Sequence, residues 1–400
     1  MRRVAAFVVV RIAFSVLLCL AGGKCAAADG GLAIDADYPG GNIIVDGIDG
    51  ERVSVRQDLR DTEGWWFYWN FRVRGAAGRT LRFHFAGRSP IGLAGPAVSL
   101  DGGLSWTWLG AESVEGSGFL YTFSSSEEEV RFSFAPPYQE RDLRRFLEAA
   151  MPGGGIIAEE FARTKADRVV RRLRLGRLDG EAEHKILVVC RHHACESVAS
   201  YVLEGLMEQI LREGADGQWY AEKAEVMVIP FMDPDGVERG DQGKNRRPHD
   251  HNKDYQGESI YASVRQLRRE IPAWSGGRLA VALDLHCPYK AGDRIFFVGR
   301  PDPNMVREQE ALCGAFGEVA SGRHRVLEIL PFGTSWNTNR NSATFSNWAA
   351  GIEGIRLAST LEVAYARAGG EAVTPESARA LGRDLAKALR RYVEGFSSGS

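Results

Sequence analysis

Cysteine is nearly missing from this chain. Six of 400 residues are cysteine, and Cys19 and Cys25 fall in the first 28. That leaves Cys190, Cys195, Cys287 and Cys313, too few and too scattered to staple a fold of this size. Stability must then come from a buried apolar core. A composition of 44% hydrophobic and 26% charged residues supplies one, enough for two domains at about 100 to 200 residues each. Long apolar runs are lacking too. Residues 4–20 come nearest, and Arg11 and Ser15 interrupt them, which argues against a stable membrane span of about 20 residues. Neither sign of charge dominates, with 50 basic against 52 acidic residues, so nothing points to nucleic acid. No internal repeat is visible, and low complexity is confined to a tail at residues 397–400.

What is present begins with a leader. Arg2 and Arg3 precede the apolar run, and Ala26-Ala27-Ala28 offers small residues for cleavage, the pattern of a secretory signal peptide over residues 1–28; an uncleaved anchor is the alternative. Arg2, Arg3, Arg11 and Lys24 lie in that segment, so the remainder carries 46 basic and 52 acidic residues. The expectation is an exported protein, periplasmic or extracellular, with no stable membrane span after cleavage.

From residue 29 to about 140 the chain is a series of short alternating runs broken by Gly, Asp and Ser, at 53–55, 65–73, 80–85, 97–100, 120–123 and 130–134. This spacing predicts a small all-β sandwich. Trp65, Trp66, Phe67, Tyr68, Trp69 and Phe71 make one predicted strand unusually aromatic. It reads either as a ligand platform or, preferred, as a sandwich filling its core with large rings, with Trp106 and Trp108 packing from a second sheet. Pro136-Pro137-Tyr138 marks a linker, and residues 143–151 read as a short helix opening a second domain over 141–396.

In that second domain, residues 185–190 form a continuous apolar run, typical of a strand buried on both faces. After it, Val198, Tyr201, Val202, Leu206, Ile210 and Leu211 recur at helical spacing up to Gly214. His193 and Glu196 therefore sit in a strand-to-helix turn. A second apolar run, 279–285, ends at His286, and a third, 357–363, contains Glu362. All three groups fall at or near the carboxyl ends of predicted strands, the edge where open α/β sheets bind ligands. Two imidazoles, one ligating carboxylate and one free carboxylate outline a hydrolytic zinc site, with three nitrogen or oxygen ligands and an open position for water. The chain closes with Thr374-Pro375-Glu376, an N-cap with proline at the first helical position, and a helix carrying Ala378, Leu381, Leu385, Leu389 and Val393.

With these residues in order, the chain resembles the zinc carboxypeptidases of the carboxypeptidase A-like metallopeptidases, and more closely the cytosolic carboxypeptidase branch, which carries a β-sandwich ahead of the catalytic domain. The shared pattern appears here as His193 and Glu196, Pro234-Asp235-Gly236, Asn252-Lys253, His286 and Glu362. The resemblance covers roughly residues 60 to 395. It implies an α/β fold, a mixed sheet flanked by helices, with one zinc per chain on His193, Glu196 and His286. It also implies Glu362 as general base and a peptide or protein C-terminus as substrate. Two departures stand out: Asp233 precedes Pro-Asp-Gly where the family has Asn, and Lys253 follows Asn252 where the family has Arg. Asn252 and Lys253 would hold the terminal carboxylate, Lys253 as a point charge without the planar fork of arginine. The cation that polarises the scissile carbonyl falls in the loop 240–247, where Arg246 is preferred over Arg247 and Lys244.

The competing readings are specific. His192 could replace His193 as ligand. His249 and His251 could form a rival metal site with Asp250, or line the pocket. Asp284 could orient a histidine ligand or cap a turn. Cys195 and Cys287, beside the motif residues, read as small buried thiols, as a disulfide, or as thiolate ligands. At the level of activity, a deacylase of small N-acyl amino acids and a slow zinc-containing peptide-binding protein stand beside the peptidase; the complete set with Glu362 and the added sandwich favour the peptidase. The sequence leaves the oligomeric state undetermined.

Overall fold

A computed structural model describes residues 27–29, 31–326, 328–338 and 342–395. The expected leader lies outside these residues except for Ala27 and Ala28, which belong to the Ala27–Asp29 strand. The expected tail lies outside them altogether. Among the described residues, no helix is long and apolar enough to cross a membrane.

The strands up to Ser133 form a six-stranded and a five-stranded sheet. Residues alternate inward along strands such as Thr80–Phe85, where Leu81, Phe83 and Phe85 are buried and their neighbours are not. The core is aromatic: Trp69 packs against Phe71, Phe85 and Phe119, and Phe83 and Phe132 join them at centroid separations of 4.8 to 5.9 Å. Two details differ from the sequence reading. The aromatic run is not one strand, because the strand starts only at Asn70. Residues 65–69 run without ladder pairing; Trp69 stays in the sandwich core, while the Tyr68 backbone pairs with the Gln242 side chain of the second half. Trp108 sits on an edge strand of the same six-stranded sheet as Asn70–Arg74, and its indole donates to Val373 O at 2.6 Å.

Pro136-Pro137-Tyr138 is buried, not a loose linker. The Tyr201 hydroxyl donates to Pro137 O at 2.7 Å and Arg191 Nη1 donates to Tyr138 O at 2.9 Å. The helix Glu140–Ala150 follows, and one apolar cluster runs continuously from sandwich residues such as Phe67 into the second half.

That half is built on an eight-stranded mixed sheet. Its centre consists of four parallel strands, Ala224–Ile229, His184–Cys190, Leu279–His286 and Leu357–Glu362, side by side in that order. Their apolar runs are continuous because both faces are covered. Ile186, Val188, Val281, Leu283 and Leu285 face one cluster, with the helices Ser197–Leu211 and Pro375–Glu394. Leu187, Val189, Leu279 and Ala282 face the other, with the helix Ala262–Ser275. Each fully buried Val, Leu or Ile contributes roughly 1.5 to 3 kcal/mol, so the sheet is a rigid base for whatever its carboxyl edge carries. Register fixes that edge: Cys190 pairs with Leu285 and His286 with Glu362.

Candidate active site

His193 and Glu196 occupy the turn between the strand His184–Cys190 and the helix Ser197–Leu211. The turn begins on Arg191, whose φ is 60°. Its buried guanidinium holds the turn by donating to Ala194 O and to Ser200 Oγ. His286 ends the next strand and Glu362 the one after, so a ligand and the free carboxylate are lateral neighbours in the sheet.

The side chains converge. His193 Nδ1 lies 3.0 Å from Glu196 Oε1, His286 Nδ1 lies 2.7 Å from Glu196 Oε2, and the two Nδ1 atoms are 3.1 Å apart. Two ring nitrogens bound at 2.0 to 2.1 Å to one tetrahedral ion would be separated by about 3.3 Å. The donor set and its spacing therefore fit zinc. On the far side of each ring stands a carboxylate: His286 Nε2 donates to Asp284 Oδ2 at 2.6 Å, and His193 Nε2 is 3.7 Å from Asp250 Oδ1. The Asp284 contact is the arrangement that fixes a ligand's tautomer and raises its basicity; Asp250 stands beyond hydrogen-bond distance and acts on His193 through its charge. Burial would raise the Asp284 carboxyl, but His192 and His286 bring it down to about 2.

His192 is spoken for. Its Nδ1 donates to Asp284 Oδ1 at 2.9 Å, and its Nε2 accepts from the Tyr255 hydroxyl at 2.7 Å. The cluster His192, Asp284 and His286 is thus a hydrogen-bonded brace, although its atoms also lie within reach of one another. His249 pairs with Asp254 at 2.7 Å, and His251 stacks on Tyr261 with ring centroids 3.6 Å apart. Neither joins a metal cluster among the described residues. All four cysteines outside the leader are buried free thiols, and none joins a metal cluster among the described residues.

Glu362 is buried, and its Oε2 has no hydrogen-bond partner among the described residues. Burial pushes its carboxyl up to about 6; His286 opposes the rise and Glu196 adds to it. A carboxylate left unpaired beside the ligands and poised near neutrality has the character of a general base.

The loop after the helix Pro234–Arg239 corrects one expectation. Arg246 does not line the cavity. Its guanidinium is enclosed by Asp61 at 2.9 Å, Asp241 at 3.0 Å, and Asp233. This also accounts for the Asp at position 233. It caps the helix by accepting from Gly236 N at 2.9 Å and pairs Arg246 with its other oxygen, which a neutral Asn would not do. The cation this loop brings to the site is Lys244, with Nζ 2.6 Å from Glu196 Oε1. Burial alone would lower the Lys244 ammonium, but the Glu196 carboxylate beside it, with Glu362 adding, holds it above the ordinary lysine range. The preceding residue explains how the loop comes so close. Gly243 has φ 73°, and a Cβ there would stand 2.2 Å from Ala194 N, so only glycine fits.

These groups open onto a cavity of about 540 Å³, lined by Trp66, His193, Lys244, Asp250, Asn252, Lys253, His286, Arg300, Thr360 and Glu362, among others. Its size suits a small ligand or the end of a chain. Asn252 is fixed by its Oδ1, which accepts from Phe345 N at 3.1 Å. Lys253 is half exposed, 3.5 Å from Asp250. Arg300 is a cation the sequence reading missed. Nη1 donates to Ser346 Oγ at 3.1 Å, Nε has no hydrogen-bond partner, and no carboxylate pairs with it among the described residues. Burial lowers its pKa. No motif marks Arg300, and Trp66 was hidden in an aromatic run that reads as core.

The pattern of the zinc carboxypeptidase family matches residues 158–267, a stretch that holds His193, Glu196, Lys244, Asn252 and Lys253 and stops before His286 and Glu362. The chain is 21% identical over 317 residues to cytosolic carboxypeptidase 6 of Caenorhabditis elegans, covering 70% of this chain and 67% of that protein. It is 26% identical over 216 residues to an uncharacterised protein of Zymomonas mobilis, covering 52% of this chain and only 55% of the relative's length. Among solved structures it resembles a metallo-carboxypeptidase from Burkholderia cenocepacia, with TM-score 0.77 and 20% identity over 92% of this chain and 100% of that one. A metallo-carboxypeptidase from Pseudomonas aeruginosa gives TM-score 0.75 and 22% identity over 90% and 99%. These likenesses establish the fold as that of bacterial metallocarboxypeptidases.

Proposed function

We propose that this chain, which carries a zinc carboxypeptidase domain, is a zinc-dependent metallocarboxypeptidase that removes the terminal residue from a peptide or protein C-terminus. The observation that carries the reading is the meeting of His193, Glu196 and His286 at 2.7 to 3.1 Å with an unpaired Glu362 in the same cavity. His193, Glu196 and His286 would hold one ion per chain. Zinc bound there supplies a water of lowered pKa and a Lewis acid for the carbonyl.

The chain's own residues do the rest. Glu362 takes the proton of the attacking water at its free oxygen and returns it to the leaving amine. The Lys244 ammonium meets negative charge as it grows on the carbonyl oxygen. Asn252 and Lys253 hold the terminal α-carboxylate, and Asp284 keeps the His286 imidazole oriented. Arg300, a cation in the cavity wall with no carboxylate in salt-bridge contact among the described residues, favours an acidic side chain on the residue to be released, because a second carboxylate would pair the guanidinium.

Arg2 and Arg3 ahead of an apolar run, with small residues at 26–28, support export to the periplasm or beyond, where peptide tails would be the substrates. N-terminal sequencing of the protein recovered from each cell fraction tests this. The activity is tested by incubating the metal-loaded protein with a mixed peptide library and reading products by mass. Stepwise loss of single C-terminal residues is expected. Release of acyl groups from N-acyl amino acids, or no turnover, would overturn the reading.

A further inference from the structure

Lysine is a poor choice for a group that must meet a developing charge. Its ammonium rides on four rotatable carbons, and nothing in the side chain itself aims it. Electrostatic help in a transition state comes from groups already in place, so something else must hold Lys244. Glu196 restrains one side, at 2.6 Å. A second neighbour comes from far away in sequence: Lys244 Nζ lies 5.3 Å from the ring centroid of Trp66, and Trp66 itself lines the cavity.

The segment bearing Trp66 is sewn to the loop bearing Lys244 along its whole length. The Gln242 side-chain amide replaces a ladder partner for Tyr68, accepting from its N–H at 2.8 Å and donating to its carbonyl at 2.8 Å. Glu63 N donates to Asn245 O at 3.1 Å, Thr62 bridges to Arg246, and Arg60 Nη1 donates to Asp241 at 2.6 Å. On its opposite side the same loop touches the ligand turn, through Cys195 N to Gln242 O at 3.2 Å. Residues 60–68 therefore form the back wall of the loop, and Trp66 reaches past that wall into the cavity. Its own backbone is pinned by Gln57 Nε2, which donates to Trp66 O at 2.7 Å.

We propose that Trp66 is a positioning residue of the active site: its indole face confines the Lys244 ammonium between Trp66 and Glu196, so that a segment of the N-terminal region forms part of the catalytic apparatus. This rests on the reading of Lys244 as the cation that meets the carbonyl oxygen. A largely buried ammonium over an indole face is held by a cation–π attraction, which an aliphatic side chain lacks.

The test uses the whole metal-loaded chain and a peptide substrate, with kcat, KM, zinc content and melting temperature measured for Trp66→Phe, Trp66→Leu, Lys244→Met and the Lys244→Met, Trp66→Leu double variant. Trp66→Leu should lower kcat about tenfold with KM within about twofold, and Trp66→Phe should recover most of the loss. In the Lys244→Met background, Trp66→Leu should cost nothing more in kcat. Should Trp66→Leu not fold, Trp66→Met serves in its place and carries the same expectations. A normal kcat in Lys244→Met would overturn the assignment of Lys244 itself. A costly Lys244→Met with a fully additive Trp66→Leu, a Trp66→Phe as impaired as Trp66→Leu, or an effect on KM alone would leave Lys244 in place and overturn the role given to Trp66.

Discussion

Two basic residues two positions apart, Lys244 and Arg246, are expected to fail in opposite ways, because one faces the cavity and the other a cage of carboxylates. Arg246 is buried against Asp233 and Asp241, themselves no more than 2% exposed, with Asp61 on its third side at 2.9 Å. Removing one partner from a buried ion pair costs about 3 to 5 kcal/mol, since the other charge is left without compensation. Arg246→Met should therefore shift the urea unfolding curve by about that much. The fraction that remains folded should keep kcat within a few fold. Lys244 makes its contact at the reacting centre. If its ammonium acts as a single oxyanion donor, its loss is worth roughly 2.7 to 4 kcal/mol in the barrier, or about 100- to 1000-fold in kcat at 1.36 kcal/mol per decade. Stability should change less than in Arg246→Met, because the metal still compensates Glu196. The assay is a pair of measurements on each zinc-loaded variant, steady-state hydrolysis of one peptide and equilibrium unfolding in urea. An Arg246→Met protein of unchanged stability that has lost 100-fold in kcat, beside a fully active Lys244→Met, would refute the placement of both side chains.

Glu362→Gln should retain zinc and fold while losing at least about 100-fold in kcat, the lower range for a general base; wild-type turnover in this variant would assign the base elsewhere. Lys253→Met should raise KM for a free C-terminal acid and narrow its advantage over the matched C-terminal amide, whereas Lys253→Arg should keep or improve that advantage by restoring a planar fork. Equal cleavage of acid and amide by the unmodified enzyme would sink the exopeptidase reading. Arg300→Met should reduce kcat/KM for peptides ending in an acidic residue by about tenfold or more while leaving those ending in a neutral residue nearly unchanged; an equal loss for both would make Arg300 a structural group.

Much of the fold and part of the site were legible along the chain because they depend on neighbours in sequence. Continuous apolar runs mark strands covered on both faces, and His193 and Glu196 lie in one strand-to-helix turn. The parallel register then carries His286 and Glu362 to the same edge. Elements of this kind are set by local periodicity and by the need to bury each run. The reading went astray where a side chain's role depends on what lies across from it. Arg246 was preferred over Arg247 and Lys244 in a loop whose alignment leaves a choice, yet Asp61, Asp233 and Asp241 enclose it, and Asp61 is distant in sequence while Asp233 was noted for another reason. Trp66 looked like core because an aromatic run resembles a strand, whereas Gln242 takes over the pairing of Tyr68 and turns the segment into the cavity wall. Arg300 carries no motif at all. The sequence by itself determined which residue types stand at the carboxyl ends of which strands. Only the tertiary structure decided which cations face a cavity and which face a carboxylate, because a charge finds its partner through space, and burial makes the difference worth several kcal/mol.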